Sequence, residues 1–286
     1  MKNHAALIGT VIDTQTASYG IKDTLLYALA VGVGSDAVDP KQLAYVYEEP
    51  TLRTLPTLAL VIAYPGFWMR DPQYGFTWQQ VLHAEEALEI HQPLPAQGTV
   101  TGVTVIEDIV DRGADKGCFV YLKKELHSAD GKSLYATVRS NTLARADGGF
   151  GGTSTARPAP PAPPQRAPDV VCDLATTFNQ ALFYRLCGDM NPLHADPTVA
   201  TGAGFARPIL HGRCTLGVAM HALLRSCCAY DASRMKTLNV RFSSPFLPGE
   251  TLRTEIWNEG DTAHFRGSSL ERGVVVLNNG TARIAP

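Results

Sequence analysis

Between Gly148 and Pro168 the chain runs through Gly-Gly-Phe-Gly-Gly, then Thr-Ser-Thr-Ala-Arg, then a tract dominated by proline and alanine. This stretch constrains the fold more than any other. Proline has no amide hydrogen to give to a helix or a ladder, so the tract favours extended, polyproline-like backbone. It separates residues 1–147 from residues 169–286, each the size of an ordinary domain. Its glycines precede prolines and not a helix, so they read as a hinge in place of a phosphate cradle.

The two blocks repeat one order of signals. An apolar helical stretch at Ile21–Ala30 precedes a glycine-rich loop, and Thr177–Leu186 does the same before Gly188. Both blocks end in alternating strand-like runs, Thr99–Val110, Cys118–Leu126 and Leu134–Leu143 against Leu252–Trp257, Ala263–Ser269 and Val274–Ile284. Proline turns at Gln92–Pro95 and Ser244–Gly249 lead into the two sets. The pattern predicts a duplicated α+β unit. Setting Tyr27 on Tyr184 also brings Leu29 onto Leu186 and Asp39-Pro40 onto Asp196-Pro197. Asp189, Asn191 and His194 then fall opposite Gly32, Gly34 and Ala37. Two readings follow: one copy kept polar chemistry while the other was hollowed out for a substrate, or both loops need glycine for positive φ. We take the first as the expectation.

Composition narrows the class. The chain is 45% hydrophobic and 18% charged with a formal net charge of −2, which suits a globular protein with a full core and offers no basic surface for nucleic acid. No apolar run approaches a membrane span or a signal-peptide core, so no membrane role is expected. Cys118, Cys172, Cys187, Cys214, Cys227 and Cys228 form no Cys-x-x-Cys pair, which argues for free thiols in a reducing, cytoplasmic setting and against a zinc ribbon. The ending Arg283-Ile284-Ala285-Pro286 is not a Ser-Lys-Leu-type address.

Chemistry concentrates at Tyr184–His194, where a carboxylate, an amide and an imidazole fall within six residues after an apolar helix. Pro192 stops the helix and sets a turn that can aim Asp189 and His194 to one side. A carboxylate and an imidazole on one spot can hold a water and exchange protons with a substrate carbon. The same residues also suit a simple Asx-capped loop. A metal site on Asp189 and His194 is the poorer reading, because no third ligand lies nearby in sequence. A second segment, Arg207–Arg213, leads into the apolar run Cys214–Leu224, which reads as a buried helix with Gly217 and Ala219 allowing close packing. Its start at His211-Gly212 presents free N–H groups to developing negative charge, as an oxyanion hole does.

Tyr184–His194 followed by Pro208-Ile209-Leu210-His211-Gly212 resembles the (R)-specific enoyl-CoA hydratases, also called hydratase 2 or MaoC-like dehydratases. Tyr27–Gly32, His83-Ala84-Glu85, Pro93-Leu94-Pro95, Gly148–Gly152, Arg241-Phe242 and Pro248–Leu252 extend the likeness along nearly the whole chain. The proline-rich tail of the linker and Ala84, where a glycine is usual, depart from it. The resemblance implies a double hot-dog fold with a long helix wrapped by an antiparallel sheet in each half. It implies a catalytic C-terminal half (169–286), a non-catalytic N-terminal half (1–147) giving a tunnel for the acyl chain, and a 148–168 linker. The implied reaction is reversible hydration of trans-2-enoyl-CoA to (3R)-3-hydroxyacyl-CoA in fatty-acid metabolism such as β-oxidation, with no cofactor or metal. By the same likeness Asp189 and His194 are the acid–base pair, Asn191 orients them and the Gly212 amide binds the thioester oxygen. His83, Ala84, Arg112, Met190, Pro192, Leu193 and Phe242 would contact the acyl-CoA, and a homodimer fits the fold. Two alternatives stay open, a hot-dog acyl-CoA thioesterase and a non-catalytic acyl-CoA binding protein.

Overall fold

The computed structural model describes residues 4–152, 157 and 160–286, so residues 153–156 and 158–159 of the 148–168 linker lie outside the described residues. The first half supplies β1 (Val11–Tyr19), α1 (Ile21–Ala30), α2 (Pro40–Val46), β2 (Val81–Ile90), β3 (Gly98–Asp111), β4 (Cys118–Ser128) and β5 (Leu134–Ala144). The second supplies β6 (Val170–Ala175), α3 (Gln180–Tyr184), α4 (Pro197–Gly202), α5 (Gly212–Cys227), β7 (Met235–Phe242), β8 (Thr251–Glu259), β9 (Thr262–Ser269) and β10 (Val274–Ile284). Among the described residues ten strands form one antiparallel sheet in the order β1-β3-β4-β5-β2-β7-β10-β9-β8-β6. The order reads the same from either edge, each strand of one half standing where its counterpart stands in the other. The halves meet where β2 pairs with β7, from Glu85 opposite Arg241 to Glu89 opposite Thr237. This is the double hot-dog, an α+β architecture.

The six strands expected from alternation are present to within a few residues. Four more, β1, β2, β6 and β7, carry weaker signals. β2 reads Val-Leu-His-Ala-Glu-Glu-Ala-Leu-Glu-Ile, rich in helix formers, and becomes a strand because β5 and β7 hydrogen-bond to its two sides. Tertiary pairing overrides local preference there.

The helices differ between the halves. In the second, α5 is buried at every residue from Cys214 to Leu224. A Cβ added at Gly217 would lie 2.5 Å from Val31 of the first half, so the missing side chain is what lets α5 approach so closely. The expectation of a long helix in each half is corrected in the first. Its central element is a 3-10 helix at Pro56–Leu60, buried at all five residues. Pro50, Pro56 and Pro65 leave too short a window for a long helix.

The glycine run is not a free hinge. The Asp111 carboxylate accepts hydrogen bonds from the amides of Gly113 (2.9 Å), Gly149 (2.7 Å) and Gly151 (2.6 Å). A Cβ on Gly148 would fall 2.3 Å from the Gly113 carbonyl. The stretch is a turn pinned where no side chain fits. Beyond it Arg157 lies over Tyr121 at 4.1 Å and pairs with Glu107 at 3.0 Å. Asn279 donates to the Pro160 carbonyl, and the Trp257 indole donates to that of Arg166. Arg157, Pro160 and Arg166 of the linker are thereby held against strands of both halves. Among the described residues no helix is long and apolar enough to cross a membrane.

Candidate active site

α3 runs into a 3-10 turn, Arg185–Cys187, and ends at Gly188. A second 3-10 turn, Pro192–His194, starts with proline at a position whose N–H is not needed. The Asn191 side chain caps that turn by accepting from the Leu193 amide at 3.1 Å. The Asp189 carboxylate accepts from the Asn191 amide at 3.2 Å. Asn191 thus links both predicted catalytic groups, its amide holding Asp189 and its side chain fixing the turn that carries His194.

Two further hydrogen bonds define the imidazoles. His194 Nδ1 lies 2.9 Å from the Ile209 carbonyl. A carbonyl only accepts, so Nδ1 carries the proton and Nε2 is left as a base. Burial holds the His194 pKa below its usual value and keeps the ring neutral. His211 Nε2 donates to the Asp189 carbonyl at 3.1 Å, and its ring stacks on His194 at 3.7 Å between centroids. Burial and the neighbouring His194 push its pKa down to about 3. Asp189, His194 and His211 each present an atom within 4.8 Å of the others. One water can reach two such groups at hydrogen-bond distance. The spacing also suits a divalent ion, and His211 is the third ligand that the sequence reading lacked.

α5 begins at Gly212, directly after His211, and carries its unpaired first-turn amides into this cluster. A Cβ on Gly212 would lie 3.1 Å from the Phe242 ring, and Phe242 packs on His83 with ring centroids 4.6 Å apart. The structure therefore brings His83 and Phe242 together beside Gly212. Ala84 is the extra residue of a bulge, since His83 pairs with Thr142 and Glu85 with Asn141. Met190 is exposed, Pro192 also, and Leu193 half-buried, all on the loop that carries Asp189 and His194. Arg112 is not in the cluster. It lies at the same end of the sheet as His83 but three strands away, about 14 Å, with its guanidinium 4.5 Å over the Phe119 ring.

The matching loop does not show the expected hollow at Gly34. Ala37 is exposed, and Gly34 (φ +89°) is crowded, with Val46 3.1 Å and Leu29 3.4 Å from an added Cβ. The glycines are there for positive φ. Open space lies elsewhere in the first half, in a cleft of about 500 Å³ lined by Ile12, Gln15, Tyr64, Pro65, Trp68 and Tyr74 among others.

A charged group at the seam escaped the sequence reading. Arg213 donates to both oxygens of Glu86 (3.0 and 3.2 Å), and Glu86 is also 2.7 Å from His83 Nε2. Burial drives the Glu86 carboxyl up, but Arg213 and His83 outweigh it and hold it at about 2. The Arg213 guanidinium lies 4.5 Å from the Tyr64 ring centroid. Glu86 lies in a segment rich in helix formers, which hid the inward face of β2. Tyr64 gave no signal.

Residues 160–280 match a family model described as MaoC like domain, and residues 18–145 one described as MFE-2 hydratase 2 N-terminal domain. The chain is 40% identical to 3-hydroxyacyl-thioester dehydratase Y of Mycobacterium tuberculosis, over 96% of this chain and 95% of that protein. It is 38% identical to the mouse peroxisomal multifunctional enzyme type 2 over 98% of its own length, but spans only 38% of that longer protein. Among solved structures, a MaoC-like dehydratase from Phytophthora capsici superposes with a TM-score of 0.85 at 33% identity, covering 99% of this chain and 98% of the other.

Proposed function

The chain belongs to the MaoC-like dehydratase and hydratase 2 family, and from that premise we propose that Asp189 and His194 perform its reaction, the reversible hydration of a 2-enoyl-CoA. The observation that carries the assignment is the His194 tautomer: Nδ1–H is held by Ile209, which leaves Nε2 to accept a proton in a ring that clusters with Asp189. A water between them adds its oxygen to C3 of the enoyl group. The pair takes a proton from that water and delivers one to C2, ending in its starting protonation state. Charge that builds on the thioester oxygen meets the amide of Gly212 at the start of α5, where the helix dipole favours it. Asn191 positions the pair. His83 and Phe242 flank the thioester end, Met190, Pro192 and Leu193 border it from the loop, and Arg112 reaches an anionic part of CoA. The acyl chain passes Tyr64 into the cleft of the first half, which leaves 1–147 as the accommodating half and 169–286 as the catalytic one.

Loss of absorbance from crotonyl-CoA and longer enoyl-CoAs, with chiral analysis of the product, tests the proposal. The expected product is the (3R)-alcohol; the (3S)-alcohol, or thiol release without hydration, overturns it. We also propose that no metal or other cofactor takes part, since the thioester itself acidifies C2. The Asp189–His194–His211 cluster supports the competing metal reading. Dialysis against a chelator should leave turnover unchanged, and a loss restored by zinc would favour the metal. For compartment we propose the cytoplasm, because the six cysteines are all unpaired. A fluorescently tagged chain found in peroxisomes would contradict it.

A further inference from the structure

Lys124 on β4 is buried, and among the described residues its ammonium pairs with no carboxylate. It donates instead to two backbone carbonyls of the first half, Ala59 at 2.9 Å and Ile62 at 2.7 Å. These belong to the end of the Pro56–Leu60 helix and the residues just after it, where carbonyls point out unpaired and a cation is favoured. Directly beyond, Ala63 turns with φ +47°, a conformation an alanine holds only when its surroundings impose it. The Val61 carbonyl of the same segment stands 3.2 Å from where a Gly188 Cβ would be, so this segment abuts the residue before Asp189. Tyr64, one residue past Ala63, packs on Arg213 next to Gly212. The segment held by Lys124 thus touches the catalytic loop at one end and the start of α5 at the other.

We propose that Lys124 is a positioning residue for the hydration reaction, its charged amine fixing residues 59–64 so that Asp189 and the Gly212 amide keep their mutual placement. The inference rests on the hydratase reading above. A positive charge is required because a charge-assisted bond is roughly twice as strong as a neutral one, and two carbonyls must be held at once. The charged groups that face Lys124 are Arg213 from α5 and Glu86 from β2, while its pairing partners on β3 and β5, Thr104 and Val138, are uncharged. Burial and then Arg213 push its pKa down to about 7, against a partial rise from Glu86. The amine therefore loses its proton within the working range.

This gives two opposite pH responses. Turnover falls as pH rises through the folded-state pKa. Stability moves the other way: between about 7 and the unfolded value of about 10.4 the unfolded chain binds the extra proton, so this group makes folding more favourable as pH increases. A residue that only supported the fold would show the same stability trend and leave kcat of the folded enzyme flat. The experiment measures kcat, KM and melting temperature from pH 6 to 9 for the wild-type chain, Lys124→Met and Lys124→Arg, with crotonyl-CoA as substrate. The expected wild-type result is an alkaline loss of kcat of about tenfold with little change in KM. Lys124→Met should be about tenfold slower at pH 6 and lack that limb, while Lys124→Arg restores turnover and removes the limb. An alkaline limb unchanged in both variants overturns the proposal. Should the Met variant not fold, a wild-type kcat flat from pH 6.5 to 9 overturns it as well. No hydration by the wild-type chain at any pH, by contrast, would sink the hydratase reading itself.

Discussion

The loops 32–37 and 189–194 occupy equivalent places in the two halves. Each follows a short helix, α1 or α3, whose tyrosines Tyr27 and Tyr184 lie with ring centroids 6.0 Å apart. Each leads to an Asp-Pro helix start, with Asp39 accepting from the Lys41 amide and Asp196 from that of Thr198. The caps, the prolines and the helix-to-helix path are kept in both. What differs is what each loop faces. Asp189 and His194 look onto the start of α5, whereas the first half has only the Pro56–Leu60 turn to offer, closed at its far end by Lys124. The scaffold is the same on both sides, and the polar groups stand where a long buried helix begins.

The sharpest way to break this comparison is to remove polar groups from the second loop. Asp189→Asn and His194→Ala should each lower kcat for enoyl-CoA hydration at least about a hundredfold while the chain stays folded. Ala37→Ser at the position matching His194 should leave kcat unchanged, because Ala37 is exposed. Near-normal turnover in a folded Asp189→Asn chain would move the chemistry elsewhere, His211 being the next group in reach.

A smaller effect is expected at the seam. Glu86→Gln keeps the shape but leaves Arg213 without a counter-charge in a buried site, which should cost about 2 kcal/mol and lower the melting temperature by about 5 °C. Since Arg213 follows Gly212, kcat should also fall, and a variant with unchanged kcat would show that the pair merely joins the halves.

Much of this arrangement was legible because the relevant signals are local. Asp189, Asn191, Pro192 and His194 form a turn with their own backbone, and Cys214–Leu224 declares a buried helix by composition alone. The seam was not legible. β2 carries helix-forming residues and is a strand only through its two neighbours, so Glu86 could not be placed opposite Arg213. The crowded space at Gly34 is likewise a tertiary fact: glycine permits both an opening and a tight positive-φ turn, and Val46 decides between them.

A pH titration sharpens the role of His194. Burial holds its pKa below 6.5, so it is already the free base at neutral pH. In the Lys124→Arg chain, which lacks the alkaline limb, kcat/KM should therefore stay constant as pH falls from 7 toward 6.5, then drop up to tenfold per pH unit below the folded pKa. A midpoint above 6.5 would mean that the Asp189 charge outweighs burial, and that the pair shares a proton in the resting state.

The smallest effect tests the other loop. Gly34→Ala places a Cβ at φ +89° against Val46, a strain of about 1–2 kcal/mol with no catalytic group in contact. Stability should fall by that amount while kcat and the preference for chain length stay as they were. If the loop were instead a hollow for the acyl chain, the added methyl would reduce kcat/KM for long enoyl-CoAs and spare crotonyl-CoA. The substitution thus separates the two meanings of glycine that the sequence left open, and it does so without touching the proposed centre at Asp189 and His194.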